Sequence, residues 1–297
     1  MRAAAALLAL ALTGCGAGAP AASPAPGAGR GHLLIVGGGT QPPELVARFV
    51  ELAGGAGQAR IAVLPMASAE AEAGGREKAE QLRALGADAF SLNLTRAQAR
   101  TDSAARLLDG VTGVWFSGGD QGRLTAVLLD TPVLDAIRRR HREGAVVAGT
   151  SAGAAVMSDS MLTGAQFRPG ADTAGYYGDE YPRVARGSVQ LAPGFGFLPG
   201  TLVDQHFLRR ERHNRLLSVV LERPSVIGVG IDESTALQVR PDGRWEVVGA
   251  SAALVLDARP ARVTPAAAPV LGAADVRMHL LPAGSTFDPR TGRATLP

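Results

Sequence analysis

From residue 32 onward, short apolar runs end in glycine or turn residues and alternate with amphipathic stretches long enough to form a crossover helix. A strand buried on both faces reads as a continuous apolar run, whereas the helix that covers it reads as one apolar stripe. The alternation therefore restricts this part of the chain to βα units and a mostly parallel sheet. Strands are expected at 33–36, 61–64, 89–92, 113–116 and 145–148, with helices at 43–53, 76–85, 103–108, 123–129 and 133–142. Each interval suits a right-handed crossover, so the expected fold class is α/β: a doubly wound, mostly parallel sheet flanked by helices.

After residue 160 the pattern changes. Residues 164–200, with Tyr176, Tyr177 and Tyr181, are rich in glycine, proline and charge without periodicity. A segment of that length reads as a functional excursion near the site. Residues 203–221 read as a strand end followed by a helix, and 226–231 as another strand. A C-terminal β-meander is expected at 236–239, 245–248 and 252–256, with a turn at Pro241-Asp242-Gly243. The tail, 257–297, is rich in alanine and proline and has one apolar run, 278–281, with the character of an edge strand. Residues 32–297 together are expected to form a single domain.

Composition narrows the partners. Hydrophobic residues make up 46% of the chain and charged ones 19%, enough apolar material for a large core. Basic residues exceed acidic ones only by 30 to 27, Lys78 is the only lysine, and aromatics are 4%. Neither a phosphate-binding patch nor a base-stacking platform is indicated, which argues against nucleic acid. At the start, Met1-Arg2 is followed by an apolar stretch, 3–12, too short to span a bilayer, and then by Leu12-Thr13-Gly14-Cys15. This resembles the lipobox of bacterial lipoproteins. It implies a signal peptide at 1–14, lipidation at Cys15, and a flexible Gly/Ala/Pro tether at 15–31. The implied location is extracytoplasmic, on a bacterial membrane. Cys15 is the only cysteine, so disulfides, Cys-based zinc sites and a cysteine nucleophile are excluded from the folded part. With no HExxH or comparable ligand cluster, neither a metal nor a cofactor is expected.

The chemistry concentrates at Gly149-Thr150-Ser151-Ala152-Gly153, between a buried strand and a short helical run. G-x-S-x-G in that context is a nucleophile elbow, a tight turn that lifts a serine hydroxyl clear of the sheet. The N–H groups at the start of the next helix favour a developing oxyanion at the same place. Such a serine needs a base, and the base an orienting acid. Of the five histidines, His32, His141 and His213 occupy positions suited to solvent exposure, which leaves His206 and His279. His206 follows Val203-Asp204-Gln205 at the carboxyl end of a strand, where catalytic side chains of α/β sheets project. Asp232 and Glu233 stand at the end of another strand. Two sets stay open: Ser151, His206 and Glu233, or, in α/β-hydrolase order, Ser151, Asp232 and His279.

Five blocks run in register with one family: Gly37-Gly38-Gly39, Phe116-Ser117-Gly118-Gly119-Asp120-Gln121, the Ser151 elbow, Asp204-Gln205-His206-Phe207 with the arginines that follow, and Gly230-Ile231-Asp232-Glu233-Ser234-Thr235-Ala236. The chain resembles the cyanophycinase-like branch of peptidase family S51, whose fold is similar to that of class I glutamine amidotransferases. The resemblance implies Ser151 as nucleophile, His206 as general base and Glu233 as orienting acid. It implies an oxyanion hole at Gly118, Gly119 and Ala152, and substrate contacts from Gln121, Asp204, Gln205, Arg210, Arg212 and Arg215. The implied activity is that of a cofactor-free serine-type exopeptidase. Its substrate would be cyanophycin, a poly-aspartate backbone carrying arginine on its side-chain carboxyls, and its product β-aspartyl-arginine dipeptides. The rivals are an aspartyl or isoaspartyl dipeptidase of the same family and a catalytically silent, ligand-binding lipoprotein. Arg210 and Arg212, two apart, diverge on a regular helix, so the arginines converge only if the helix starts irregularly or a homodimer partner supplies some of them.

Overall fold

The computed structural model describes residues 31–166, 183–268 and 270–297. Cys15, the tether up to residue 30, and Tyr176, Tyr177 and Tyr181 lie outside them, whereas Gly31, the last residue expected in the tether, is buried with its amide donating to His141 O. The centre is a parallel sheet of β1 (Leu33–Val36), β2 (Arg60–Leu64), β3 (Asp88–Ser91), β4 (Gly113–Phe116) and β5 (Val146–Thr150), in the order β1-β5-β4-β2-β3. Every residue of β1, β4 and β5 is buried, and alternate side chains feed two cores. Leu34, Val36, Trp115 and Ala148 face α1 (Pro43–Leu52) and α2 (Ala71–Ala84). Leu33, Ile35, Phe116 and Val147 share the opposite core with residues of α5 (Gln121–Leu128) and α6 (Pro132–Arg142). Each fully buried valine, leucine or phenylalanine contributes about 1.5–3 kcal/mol, so the two cores fix the doubly wound arrangement.

Local chemistry sets the helix ends. The Thr131 hydroxyl accepts the Leu134 amide, Pro132 opens α6, and Arg139 to Arg142 close it against its negative end. α2 begins five residues before the expected 76, because Gly74-Gly75 does not break it. At Gly75 an added Cβ would stand 2.2 Å from Ser91 Oγ and 2.9 Å from Pro65 Cγ, so glycine lets the helix pack close to the sheet. The helix expected at 103–108 is α4 (Asp102–Arg106), and a further short helix not expected, α3 (Arg96–Ala99), precedes it; each is capped by a threonine hydroxyl, Thr101 and Thr95.

The second half adds two kinds of strand. Beyond the elbow helix α7 (Ala152–Ala155), β6 (Ser160–Gln166), which runs into the expected excursion, and β7 (Val189–Pro193), which lies within it, form an antiparallel ribbon. β8 (Thr201–Gln205), followed by α8 (His213–Glu222), and β9 (Ile227–Ile231) are parallel neighbours in a separate four-stranded sheet. β10 (Thr235–Val239) and β11 (Trp245–Gly249) extend the central sheet as an antiparallel hairpin beside β1. The third strand of the expected meander, β12 (Ala252–Asp257), leaves that sheet and pairs with β9 instead. Its apolar residues on one face, Ala253 and Val255, join the core of the central sheet, while Leu254 and Leu256 pack with α8.

In the tail, β13 (Arg262–Val263) pairs with β14 (Ala273–Ala274). β15 (Arg277–Pro282) is the edge strand expected from 278–281, alongside β12. β16 (Thr286–Asp288) and β17 (Arg293–Thr295) lengthen the central sheet. These strands of two or three residues are too short to leave a periodic signal.

Candidate active site

The carboxyl end of β1 lies between that of β5 and the start of β10, since Val36 is in register with both Thr150 and Ala236. Three turns meet there. Ser151 sits at the top of β5 in a left-handed conformation, φ +53° and ψ −110°. Such strain in a non-glycine residue costs on the order of 1–3 kcal/mol and is held by its surroundings. The Ser151 amide donates to Val36 O at 3.0 Å, and its carbonyl accepts from Ala154 and Ala155. The flanking glycines are required by space: an added Cβ on Gly149 would meet Gly153 O at 2.3 Å, and one on Gly153 would meet Phe116 O at 2.3 Å.

His206 leaves β8 with φ +50°, its amide donating to Gly37 O at 2.7 Å. Its ring bridges two side chains. Nε2 is 2.9 Å from Ser151 Oγ, and Nδ1 is 2.6 Å from Glu233 Oε1, on the turn between β9 and β10. A carboxylate only accepts, so Nδ1 carries the proton and Nε2 is left to accept from the serine hydroxyl. Burial holds the His206 pKa below its ordinary 6.5, the charges of Arg210 and Arg212 act in the same direction, and the bond to Glu233 opposes them. The Gly118-Gly119 turn abuts the elbow, an added Cβ on Gly118 standing 3.4 Å from Ser151 Cβ. Ala152 is the first residue of α7.

Two features had no assigned part in the sequence reading. The triple glycine makes room for the histidine and the acid: an added Cβ would lie 2.3 Å from the His206 ring at Gly38 and 2.9 Å from Glu233 at Gly39. Lys78 donates to Gln41 Oε1 at 2.7 Å and Gln81 Oε1 at 2.6 Å, with its ammonium 4.6 Å from the centre of the Trp115 ring. Burial pushes its pKa down to about 8. Gln41 in turn donates to Gly39 O and approaches Thr150 Oγ1 at 3.4 Å, so it buttresses the loop beneath the site. The signal was available in a chain whose other basic side chains are all arginine.

The second histidine set is not brought together. His279 lies on β15 opposite Val255, its ring 5.3 Å from Phe287, and its buried Nε2 has no hydrogen-bond partner among the described residues. Asp232 turns its carboxylate to the Leu208 and Arg209 amides and to Ser251. The exposure expected for His141 and His32 is corrected. His141 is 8% exposed, bonded to Ala145 O and edge-on to Phe197, because the buried stripe of α6 extends to it. His32 is half-buried against Gln238. His213 is exposed, as expected.

The polar set around β8 divides. Asp204 is 0% exposed and receives Arg215 through Nε at 2.7 Å and through its second terminal nitrogen. Arg212 donates to Gln205 O and Oε1 at 2.8 and 2.6 Å and lies 3.8 Å from Asp204. Gln121 donates to Leu162 O at 2.8 Å. These five are buried and bonded within the chain, whereas Arg210 is exposed on the turn after His206. The regular helix starts only at His213, after Glu211 at φ +51°. This irregular start lets Arg212 and Arg215 converge on Asp204 without a partner chain.

The profile of peptidase family S51 matches residues 33–246. The chain belongs to that family. As an S51 member it is a serine-type peptidase. It is 35% identical over 272 residues to the cyanophycinase of Synechococcus elongatus, covering 88% of this chain and 80% of that one. It is 34% identical over 272 residues to the cyanophycinase of Geminocystis herdmanii, covering 88% and 95%. The crystal structure of a peptidase from an acI-B1 Actinobacterium shares the fold, with a TM-score of 0.63, 24% identity, and coverage of 89% of this chain and 98% of that one.

Proposed function

We propose that this S51 peptidase is a cyanophycinase-type enzyme acting through Ser151, His206 and Glu233. The observation that carries the reading is the unbroken relay from the Glu233 carboxylate through the His206 ring to the Ser151 hydroxyl. In this mechanism Ser151 Oγ attacks the scissile carbonyl while His206 Nε2 takes its proton. Glu233 holds the imidazole in the required tautomer and stabilises the imidazolium. The amides of Ala152 and the Gly118-Gly119 turn receive the oxyanion. His206 then protonates the leaving amine, and water, deprotonated by the same ring, releases the acyl group from Ser151.

Cyanophycin fits a site with an exposed arginine beside the base. Its repeating unit carries a carboxylate that Arg210 can grip in a charge-assisted, bidentate bond. Asp204, Gln205, Arg212, Arg215 and Gln121 form the buried scaffold beneath that contact. Mass spectrometry of products from cyanophycin, short Asp-X peptides and isoaspartyl peptides tests the assignment. The expected product is β-aspartyl-arginine from the polymer. Release from short peptides alone would make the chain a dipeptidase. No turnover, together with no reaction with serine-directed acylating probes, would favour a ligand-binding protein.

The proposed setting is extracytoplasmic, with Cys15 acylated. The protein is then expected in the membrane fraction, released by detergent and not by salt, because the anchor is hydrophobic. Cys15→Ser is expected to be soluble or to remain an unprocessed precursor, and unchanged membrane association of that variant would remove the anchor from the reading.

A further inference from the structure

Asp232 precedes the acid of the relay but takes no part in it. Its Oδ1 accepts the amides of Leu208 at 3.1 Å and Arg209 at 2.9 Å, and its Oδ2 accepts the Ser251 hydroxyl at 2.8 Å. Its own amide donates to Ala252 O. Leu208 and Arg209 belong to the turn that His206 opens. That turn begins with a left-handed histidine, a conformation that persists only where neighbouring bonds over-determine it. Three sets of bonds do so. The His206 amide goes to Gly37 O, Phe207 to Ile231 O, and the next two amides to Asp232.

The other side of Asp232 is fixed as firmly. Thr235 Oγ1 donates to Glu233 O and accepts from the Ser251 amide, Ser251 Oγ donates to Asp232, and the Ser234 amide donates to Gly38 O. One carboxylate thus ties the turn that carries the base to the turn that carries the acid. The 2.6 Å separation of His206 and Glu233 is the distance so fixed.

We propose that Asp232 is a positioning residue of the active site: its carboxylate sets the turn after His206 against the turn bearing Glu233, and so holds the base and its acid in hydrogen-bonding register. The proposal rests on the catalytic reading of His206 and Glu233. It makes no direct use of Asp232 in proton transfer.

Displacing a catalytic group by about 1 Å can cost 10²-fold in rate. Asp232→Ala is therefore expected to lower kcat by about 10–100-fold with KM changed less than about 2-fold. The acid limb of its pH–rate profile is expected at lower pH, because the bond from Glu233 that raises the His206 pKa is weakened. Among the described residues, the charged groups that act on His206 are Glu233, Arg210 and Arg212, and all three are retained in the variant. Asp232→Asn, which keeps an acceptor for both amides while losing the charge, is expected to recover kcat to within about 3-fold of the parent. Hydrogen exchange at the Leu208 and Arg209 amides is expected to quicken in the alanine variant and not in the asparagine variant.

Parental kcat in Asp232→Ala, or equal loss in both variants, would overturn the proposal. His206→Ala, measured alongside, separates the two readings: if it too keeps full turnover, the relay fails and not the positioning role alone. Should Asp232→Ala fail to fold, Ser251→Ala is the second variant. It removes the bond to Oδ2, and a several-fold fall in kcat is expected, whereas no fall would count against the tether.

Discussion

Ser151→Ala and His206→Ala are each expected to lower kcat by about 10³–10⁶-fold, whereas His279→Ala is expected to leave it unchanged. The asymmetry follows from where the two histidines stand. His206 lies within hydrogen-bonding distance of both the hydroxyl and the carboxylate, while His279 lies on the edge strand β15 with its ring beside Phe287. Residual turnover in the Ser151 and His206 variants is expected from the proposed oxyanion stabilisation and substrate binding, which neither substitution removes. The pH dependence sharpens the assignment. His206 acts as a base only when neutral, and burial with nearby arginines holds its pKa below 6.5. Activity is therefore expected to rise with pH through a midpoint below 6.5 and to be complete at neutral pH, read from kcat/KM of the free enzyme. A midpoint at or above 6.5, or loss of turnover in His279→Ala with His206→Ala intact, would assign the base elsewhere.

The parts of the fold that the sequence makes legible are those in which one periodicity dominates over several residues. β1 and β4 fall where the apolar runs place them, since strands buried on both faces have no alternative use for four successive hydrophobic side chains. β5 reaches two residues further than its apolar run, because Gly149 and Thr150 continue the ladder beside β1 into the elbow itself. The route of β12 is hidden for a different reason. Its alternation is that of any half-buried strand, and nothing local states whether its partner is β11, close in sequence, or β9, in the other sheet.

The site shows the same division. Ser151 is announced by its glycines, because the turn has no room for Cβ atoms on either side. His206 and Glu233 are separated in the chain and meet only through the topology of β8, β9 and β10, so residue chemistry alone leaves two histidines open. The buried character of Arg212 and Arg215 is still less visible. Both occur in a run of charge that reads as a solvated helix face, and only the irregular turn before His213 folds them inward onto Asp204.

That burial gives Arg215→Ala a large expected effect, and one on stability. Arg215 is 2% exposed and pairs with a carboxylate that is 0% exposed. Removing one member of a buried ion pair leaves the other charged without its main partner, which costs about 3–5 kcal/mol. In a domain of this size the thermal midpoint is expected to fall by roughly 2–4 °C for each kcal/mol. Asp204→Leu combined with Arg215→Met is expected to recover much of the loss, because an apolar pair of similar volume avoids burying a lone charge. Activity divides the arginines in a second way. Arg215→Ala is expected to lower kcat/KM to the same extent on cyanophycin and on a neutral ester, since it acts through the scaffold beneath His206. Arg210→Ala is expected to leave the midpoint nearly unchanged and to lower kcat/KM about tenfold on cyanophycin alone, the loss of one charge-assisted contact to a carboxylate. If Arg215→Ala proved as stable as the parent and lost activity only on cyanophycin, the buried pair would be a ligand site and not a scaffold.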